Sequence, residues 1–425
     1  MTDTIFALSS GSPPAAIAVV RVSGRQAGAA LAALAGSLPG PRVASYRTLR
    51  VPRGTVLDQA LVLWFPGPNT ATGEDLAELH LHGGRAVVAA VERALSALPG
   101  LRRAEPGEFT RRAFAHGRID LAEAEGLADL LSAETELQRR AAIAMAGGAF
   151  SKQVEDWRER VLMASAAVEA VLDFADEDDV VELPADFSVR LDALAGDLSE
   201  WLARPRAETL REGFRVVLAG PPNAGKSTLF NALVEDEAAI TAPLAGTTRD
   251  VLTRAVAIRG MPFVFADTAG LRDESGDEIE VIGIARARAA LERADLVLWL
   301  GPEGVGPEGA WEIEPQCDRA GSADKAAPRH RVSAVTGAGL DDLRRDLVET
   351  AARAMPRPGD AALNQRQHAL LGQAERALRD ARRESDPLLV AEALRVARVA
   401  FDALVGRATT EDMLDALFGR FCIGK

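Results

Sequence analysis

The sequence predicts a multidomain chain of α/β and all-α parts: an N-terminal α/β module, then a helical domain carrying an inserted phosphate-loop domain. Three observations predict it. Short β-rich runs mix with Ala-rich helical stretches and Gly/Pro turns up to about Arg118. From Asp120 that punctuation thins and apolar residues recur at helical spacing. Phosphate-loop motifs then interrupt the helical texture, which returns after about Pro358. A chain of 425 residues accommodates two to three separate cores, and the expected boundaries are 1–118, 119–212, 213–353 and 354–425.

In the first module the strand-like runs are 17–22, 61–65 and 76–82. His80 and His82 bracket Leu81, so on a strand they share a face; nothing supplies a third ligand, which argues against a metal site. Leu127, Leu130, Leu131, Val154, Trp157 and Val161 mark the first helical block, and Leu370, Leu378, Leu394, Leu404 and Leu417 the second. The acidic run 173–182 reads as a solvated helix end or linker. Between the blocks, apolar runs at 214–219, 263–266 and 296–300 read as buried strands, and 227–233 as the start of a helix.

Gly-Pro-Pro-Asn-Ala-Gly-Lys-Ser at 220–227 fits G-x-x-x-x-G-K-[ST], between a predicted strand and a predicted helix. Backbone N–H groups of such a loop wrap phosphates, aided by the positive end of the helix. Asn223, Ala224, Gly225, Lys226, Ser227 and Thr228 are the expected contacts: Lys226 on the outer phosphates, the Ser227 hydroxyl on Mg²⁺. Gly-Thr-Thr-Arg-Asp at 246–250 places Thr248 as the Mg²⁺-sensing switch residue, and Asp-Thr-Ala-Gly at 267–270 forms the switch that meets the γ-phosphate. The pattern is that of a nucleotide switch.

Base reading departs from the usual Asn-Lys-x-Asp. Pro-Gln-Cys-Asp at 315–318 keeps only Asp318, the residue that accepts from guanine N1 and N2, and is expected after the strand at 296–300. Ser333, Ala334 and Val335 open a guanine-loop element, the Asp324-Lys325 pair has the wrong order, and Gly, Pro and acidic residues at 301–315 indicate a shortened loop where other GTPases carry a helix. GTP is favoured over ATP, with weakened affinity. Leu271 occupies the place of the water-orienting Gln, so another group must assist. Asn223 can ligate a monovalent cation near the β/γ bridge, which makes hydrolysis K⁺-dependent. Glu280 could orient water directly or through a second water, but spacing alone favours a solvated carboxylate at a helix start.

The formal net charge of −13 and a pI near 5.1 exclude an extended basic surface that holds nucleic acid by charge alone. Two cysteines, Cys317 and Cys422, exclude a disulfide framework. No signal-like segment or bilayer-length apolar stretch is present, so a cytoplasmic location without membrane insertion is expected. There is no G-x-G-x-x-G fingerprint for a flavin or nicotinamide dinucleotide.

Asn223, the 246–250 and 267–271 motifs and the terminal Phe-Cys-Ile-Gly-Lys at 421–425 together resemble the MnmE (TrmE) family of tRNA modification GTPases. So do Val-Arg-Val-Ser-Gly at 20–24, Phe-Pro-Gly-Pro-Asn at 65–69, Thr-Gly-Glu-Asp at 72–75, His-Gly-Gly at 82–84, Pro-Gly-Glu-Phe at 106–109 and Asp-Leu-Ala-Glu-Ala-Glu at 120–125. The resemblance covers nearly the whole chain except about 301–331. It implies a Ras-like G domain, with Ala242, Pro243, Leu244, Ala245, Gly246, Thr247, Thr248, Thr268, Ala269 and Gly270 joining the GTP contacts. Of these, Ala242, Leu244 and Thr247 would ligate K⁺ with Asn223. It implies a tetrahydrofolate-binding N-terminal module in which Arg21, Glu78, Arg118 and Lys425 contact 5-formyltetrahydrofolate or a related folate; Lys is usual at position 118. Lys226, Thr248, Glu280 and Cys422 become the catalytic candidates, although Cys422 read alone is a small apolar filler. The implied partners are a second copy of the chain, a flavoprotein of MnmG (GidA) type carrying FAD, and tRNA, whose wobble uridine would receive a carboxymethylaminomethyl group at C5. A ribosome-assembly switch like Era, which usually adds a basic RNA-binding module, and a folate-dependent aminomethyl transferase merely regulated by nucleotide are the alternatives.

Overall fold

A computed structural model describes residues 3–51, 54–173, 182–234, 238–239, 253–267, 289–319, 325–357, 359–408, 410–419 and 421–424. The chain divides into two units, 1–128 with 402–425, and 129–401.

The first unit contains β1 (Thr4–Leu8), β2 (Ile17–Ser23), α1 (Ala27–Ala35), β3 (Ser45–Arg50), β4 (Val56–Phe65), β5 (Leu76–His82), α2 (Arg85–Ser96), β6 (Leu101–Arg103) and α3 (Glu108–Ala115). α4 (Leu121–Ser132) begins in it. The sheet order is β3-β4-β5-β2-β1-β6. Period-two alternation along β2 buries Ala18, Val20 and Val22 with Leu31 and Leu34 of α1 and Val91 and Leu95 of α2, and turns Arg21 to the other face. On that other face Ile17, Tyr46 and Leu61 are exposed.

Two glutamates of the motifs at 72–75 and 106–109 are taken up by folding. Arg112, fully buried, donates through Nη1 to Asp3 O at 2.9 Å and to Glu74 at 3.1 Å, and through Nη2 to Asp3 Oδ1 at 3.0 Å and Glu108 Oε1 at 2.9 Å. Burial pushes the Glu108 carboxyl up, but hydrogen bonds from Arg102 and Arg112 hold it below the usual carboxylate range.

The second unit continues with α5 (Glu136–Ala146), α6 (Ala149–Asp173), α7 (Phe187–Leu202), α8 (Ala207–Glu212), β7 (Phe214–Ala219), α9 (Lys226–Val234), β8 (Ala238–Ala239), β9 (Thr253–Ile258) and β10 (Met261–Asp267). β11 (Leu296–Trp299), β12 (Trp311–Glu314), β13 (His330–Arg331), α10 (Leu340–Ala354), α11 (Gln365–Arg383) and α12 (Pro387–Leu404) follow, and α13 (Glu411–Phe418) belongs to the first unit. The sheet order is β13-β12-β11-β7-β10-β9-β8. β7 is parallel to β10 and β11, and β12 is parallel to β11 and β13.

Helices on both sides of the phosphate-loop domain in sequence pack together. α7 lies against α11, and Ser199 Oγ donates to Glu375 Oε1 at 2.9 Å. Trp157 sits among Phe150, Trp201 and Phe401, with ring centroids 5.7–6.4 Å from its own. This is the helical domain with an insertion that the sequence predicts.

Two expectations are corrected. In α11 the buried register runs through Leu371 and Leu378; Leu370 is at its flank. The segment 301–315 is not all loop: residues 301–310 form turns without a helix, but Trp311 and Ile313 are buried in β12 beside β11. The base-reading motif therefore follows β12 rather than the strand at 296–299. Lys325 is buried behind this segment, its Nζ donating to Trp299 O at 2.9 Å and Glu312 Oε2 at 2.5 Å. Among the described residues no helix is long and apolar enough to cross a membrane.

Candidate nucleotide and folate sites

Parallel strands present all their carboxyl ends on one edge, and that edge is where ligands bind open α/β sheets. Here β7 ends at the 220–227 loop, β10 at Asp267, β12 at 315–318, and β13 just before Ser333. Leu300 N donates to Ala219 O at 2.8 Å, tying β11 to the start of the loop. Lys226 is buried, and its Nζ donates to Gly220 O at 3.0 Å and Pro221 O at 2.8 Å, so the ammonium lies inside the loop's curl. Asn223, exposed at φ +62°, stands on its rim. Ala224, Gly225 and Thr228 are carried by the same loop and the first turn of α9.

Ser227 Oγ donates to Asp267 Oδ2 at 2.5 Å, and Asp267 is buried. A hydroxyl and a carboxylate held together beside a phosphate loop form the hard-oxygen pair that Mg²⁺ takes. On the base side, Asp318 is exposed, and a hydrogen bond from Ser333 holds its carboxyl below the usual range. Ser333 is itself buried, and Thr336 N donates to its Oγ at 3.2 Å. Ala334 and Val335 lead away from it, Val335 exposed. The structure thus brings Lys226 to its loop, Ser227 to Asp267, and Asp318 to Ser333. A cavity of about 300 Å³ lined by Gln138, Met145, Leu210, Gly213, Pro262 and Ala362 is a different place, near the opposite ends of β7 and β10.

Residues 242–248, Thr268, Ala269, Gly270, Leu271 and Glu280 lie outside the described residues, as do 174–181 and Lys425.

On the open face of the first sheet, Arg21 and Glu78 are register partners. Arg21 Nε and Nη2 donate to Glu78 Oε1 at 3.2 and 2.9 Å, and His80 Nε2 lies 3.1 Å from Glu78 Oε2. Burial pushes Glu78 up, but hydrogen bonds from His80 and Arg21 hold it below the usual range. His82 Nδ1 pairs with Asp58 Oδ1 at 2.8 Å. Each histidine has a carboxylate partner, and the described residues hold no metal-binding cluster.

Arg118 is exposed, with its Cγ against the Gly73 turn. The chain end docks in this unit too: Ile423 bridges Pro106, Gly107 N donates to Cys422 O at 3.5 Å, and the Cys422 side chain is exposed. Gly424 has φ +95°, and a β-carbon there would lie 2.1 Å from Leu8 O, so only glycine permits this approach. Leu8 pairs with Val20 and Ala7 with Arg21, which sets Gly424 beside the strand pair bearing Arg21. Spacing along the chain carried no sign of the Arg112 cluster or of Gln316 lying against the phosphate loop.

The MnmE helical domain family matches residues 121–422, and the family of the GTP-binding protein TrmE N-terminus matches 4–118. The chain is 66% identical to the tRNA modification GTPase MnmE of Novosphingobium aromaticivorans and 65% identical to that of Erythrobacter litoralis, over 100% of both chains in each case. Among solved structures it resembles the G domain of the T. maritima FeoB iron transporter, at 28% identity over 32% of this chain and 98% of that one, with a TM-score of 0.23.

Proposed function

Because the chain belongs to the MnmE family of tRNA modification GTPases, we propose that its GTP hydrolysis drives the installation of a carboxymethylaminomethyl-type group at C5 of the wobble uridine of certain tRNAs. The work is shared with an MnmG-type flavoprotein that carries the FAD. A folate on the first unit supplies the one-carbon unit, and glycine or ammonia completes the group.

The observation that carries the GTPase half is the convergence of Lys226, the Ser227–Asp267 pair and the Asp318–Ser333 pair on one sheet edge. Mg²⁺ held at Ser227 and Asp267 would screen charge on the β- and γ-phosphates. Lys226 turns its ammonium from the loop carbonyls to the outer phosphate oxygens, and Asp318 accepts from guanine N1–H and the exocyclic amine. Adenine offers neither donor in that arrangement. Asn223 would contribute its side-chain carbonyl to K⁺, with Ala242, Leu244 and Thr247, while Thr248 would serve Mg²⁺ and Glu280 would orient the attacking water.

On the first unit Arg21 is suited to a folate carboxylate and Glu78 to pterin N–H donors. Arg118 and Lys425 complete the set, and Cys422, exposed on the docked chain end, faces uridine chemistry. The exposed apolar residues Ile17, Tyr46 and Leu61 on the open sheet face support a homodimer.

Nucleoside mass spectrometry of tRNA from a deletion strain tests the whole reading. Parental chain should restore the modified uridine. Lys226→Ala should not, and its GTP turnover should fall about a hundredfold or more, the usual effect of removing one group that stabilises transition-state charge. Normal wobble uridine in the deletion strain would overturn the proposal.

A further inference from the structure

Gln316 stands where the usual Asn-Lys-x-Asp motif carries its lysine, and it has partners of its own. Its backbone lies in the left-handed region at φ +56°. Arg319 N donates to Gln316 O at 2.9 Å, closing a turn that presents Cys317 and Asp318. The half-buried Gln316 side chain folds toward the phosphate loop: a β-carbon on Gly225 would lie 3.2 Å from Gln316 Nε2 and 3.8 Å from Pro315 Cβ. Gly225 itself has φ +85°, a conformation that favours glycine, and any side chain there would press on the Gln316 amide.

The other end of the amide is also held. Arg319 Nη1 donates to Gln316 Oε1 at 3.2 Å. An amide whose oxygen is engaged by a guanidinium presents its NH₂ in the opposite direction, and here that direction is the phosphate loop. One neutral side chain therefore spans the two loops that must grip the same nucleotide, one at its phosphates and one at its base.

We propose that Gln316, oriented by Arg319, bridges the base-reading loop to the phosphate loop and sets how long a guanine nucleotide stays bound. The proposal rests on Asp318 being the guanine reader. Gln316 flanks the nucleotide and supplies N–H donors in place of a lysine ammonium. Arg319 acts only through Gln316 and is a positioning residue, since its exposed charge is screened by water.

The test is stopped-flow release of a fluorescent GDP derivative from the full chain, with GDP and ADP affinities measured alongside. Gln316→Ala should release GDP about tenfold faster, the scale of one lost hydrogen bond. Arg319→Ala should release it about threefold faster, and the double variant no faster than Gln316→Ala, because the two residues act as one unit. Gln316→Met keeps the length and packing and adds no charge, but loses both N–H donors, so it too should release GDP quickly, which a merely structural loop contact would not predict. Preference for GDP over ADP should persist in all of these. Parental release from both Gln316→Ala and Gln316→Met would overturn the bridge, as would additive effects in the double variant. Asp318→Asn separates the two failures: if it binds GDP like the parent, the base-reading assignment falls; if it loses GDP while the Gln316 variants behave as parent, only the bridge falls.

Discussion

The two sheets place functional groups by different rules. In the seven-stranded sheet, β7, β10, β11, β12 and β13 run parallel, so the segments after them collect at one edge and motif order along the chain translates directly into a site. In the six-stranded sheet, β2 is antiparallel to both of its neighbours, and Arg21 meets Glu78 on a face through strand register. An edge site has a spacing signature; a face site built by pairing has none. The two regions also use charge differently: one buries a guanidinium among three carboxylates for folding, while the other holds its lysine against carbonyls at a site that handles phosphates.

The sharpest way to break this comparison is Arg112. If its cluster serves folding alone, Arg112→Met leaves Asp3, Glu74 and Glu108 close together with fewer cations, at a cost of about 3–5 kcal/mol, the range for removing one partner of a buried ion pair. Chemical denaturation followed by circular dichroism should show the 1–128 unit unfolding early, while GDP binding by the 129–401 unit persists. Equal loss of both would mean that the cluster is not local to the first unit. Lys226→Ala is the mirror case, with turnover lost and both unfolding transitions unchanged.

This contrast explains what was legible. The 220–227 loop, Asp267, Asp318 and Ser333 were found because motifs in a fixed order along the chain meet at one edge of a parallel sheet, even though the strand that carries Asp318 was misplaced. The strands at 17–23 and 76–82 were equally plain from their alternation, yet the pairing of Arg21 with Glu78 was not, since register depends on tertiary packing. β12 was missed because four residues between turns give too short a period to read, and Trp311 and Ile313 show their burial only once β11 lies beside them. Glu74 and Glu108 entered the sequence reading only as members of motifs, with no role assigned. Their true partner, Arg112, lies 38 residues from one and four from the other.

A smaller effect tests the face site. The Glu78 carboxyl, held below its ordinary value of 4.5 by His80 and Arg21, contributes stability that is present above that value and lost as pH falls through the depressed one. Glu78→Gln should therefore lower the stability of the first unit at neutral pH by about 1–2 kcal/mol after allowance for partial exposure. The gap from the parent should close in strongly acid solution. Urea midpoints at pH 7 and at successively lower pH check this; a gap that widens on acidification would mean that the pair is strained.

The smallest effect is expected where the electrostatic perturbation looks large. Glu136, in the first turn of α5, is pushed down to about 2 by hydrogen bonds from Arg139 and Arg140, with Nε–Oε distances of 2.7 and 2.6 Å. By the same linkage its contribution is present above 4.5 and lost as pH falls toward 2. Yet all three side chains are about half exposed, so water and salt screen the attraction, and two long arginines must be ordered to make it. The helix start is already secured by Thr135, whose Oγ1 accepts from Gln138 N at 3.3 Å, and by Gln138 Oε1, which accepts from Thr135 N at 2.9 Å. Glu136→Ala should shift the melting temperature by about 1 °C or less at pH 7, and by still less in high salt. A loss approaching that of Arg112→Met would show that exposure does not separate the folding charges from the dispensable ones, and the distinction drawn between the buried cluster and the rest of the surface would fail.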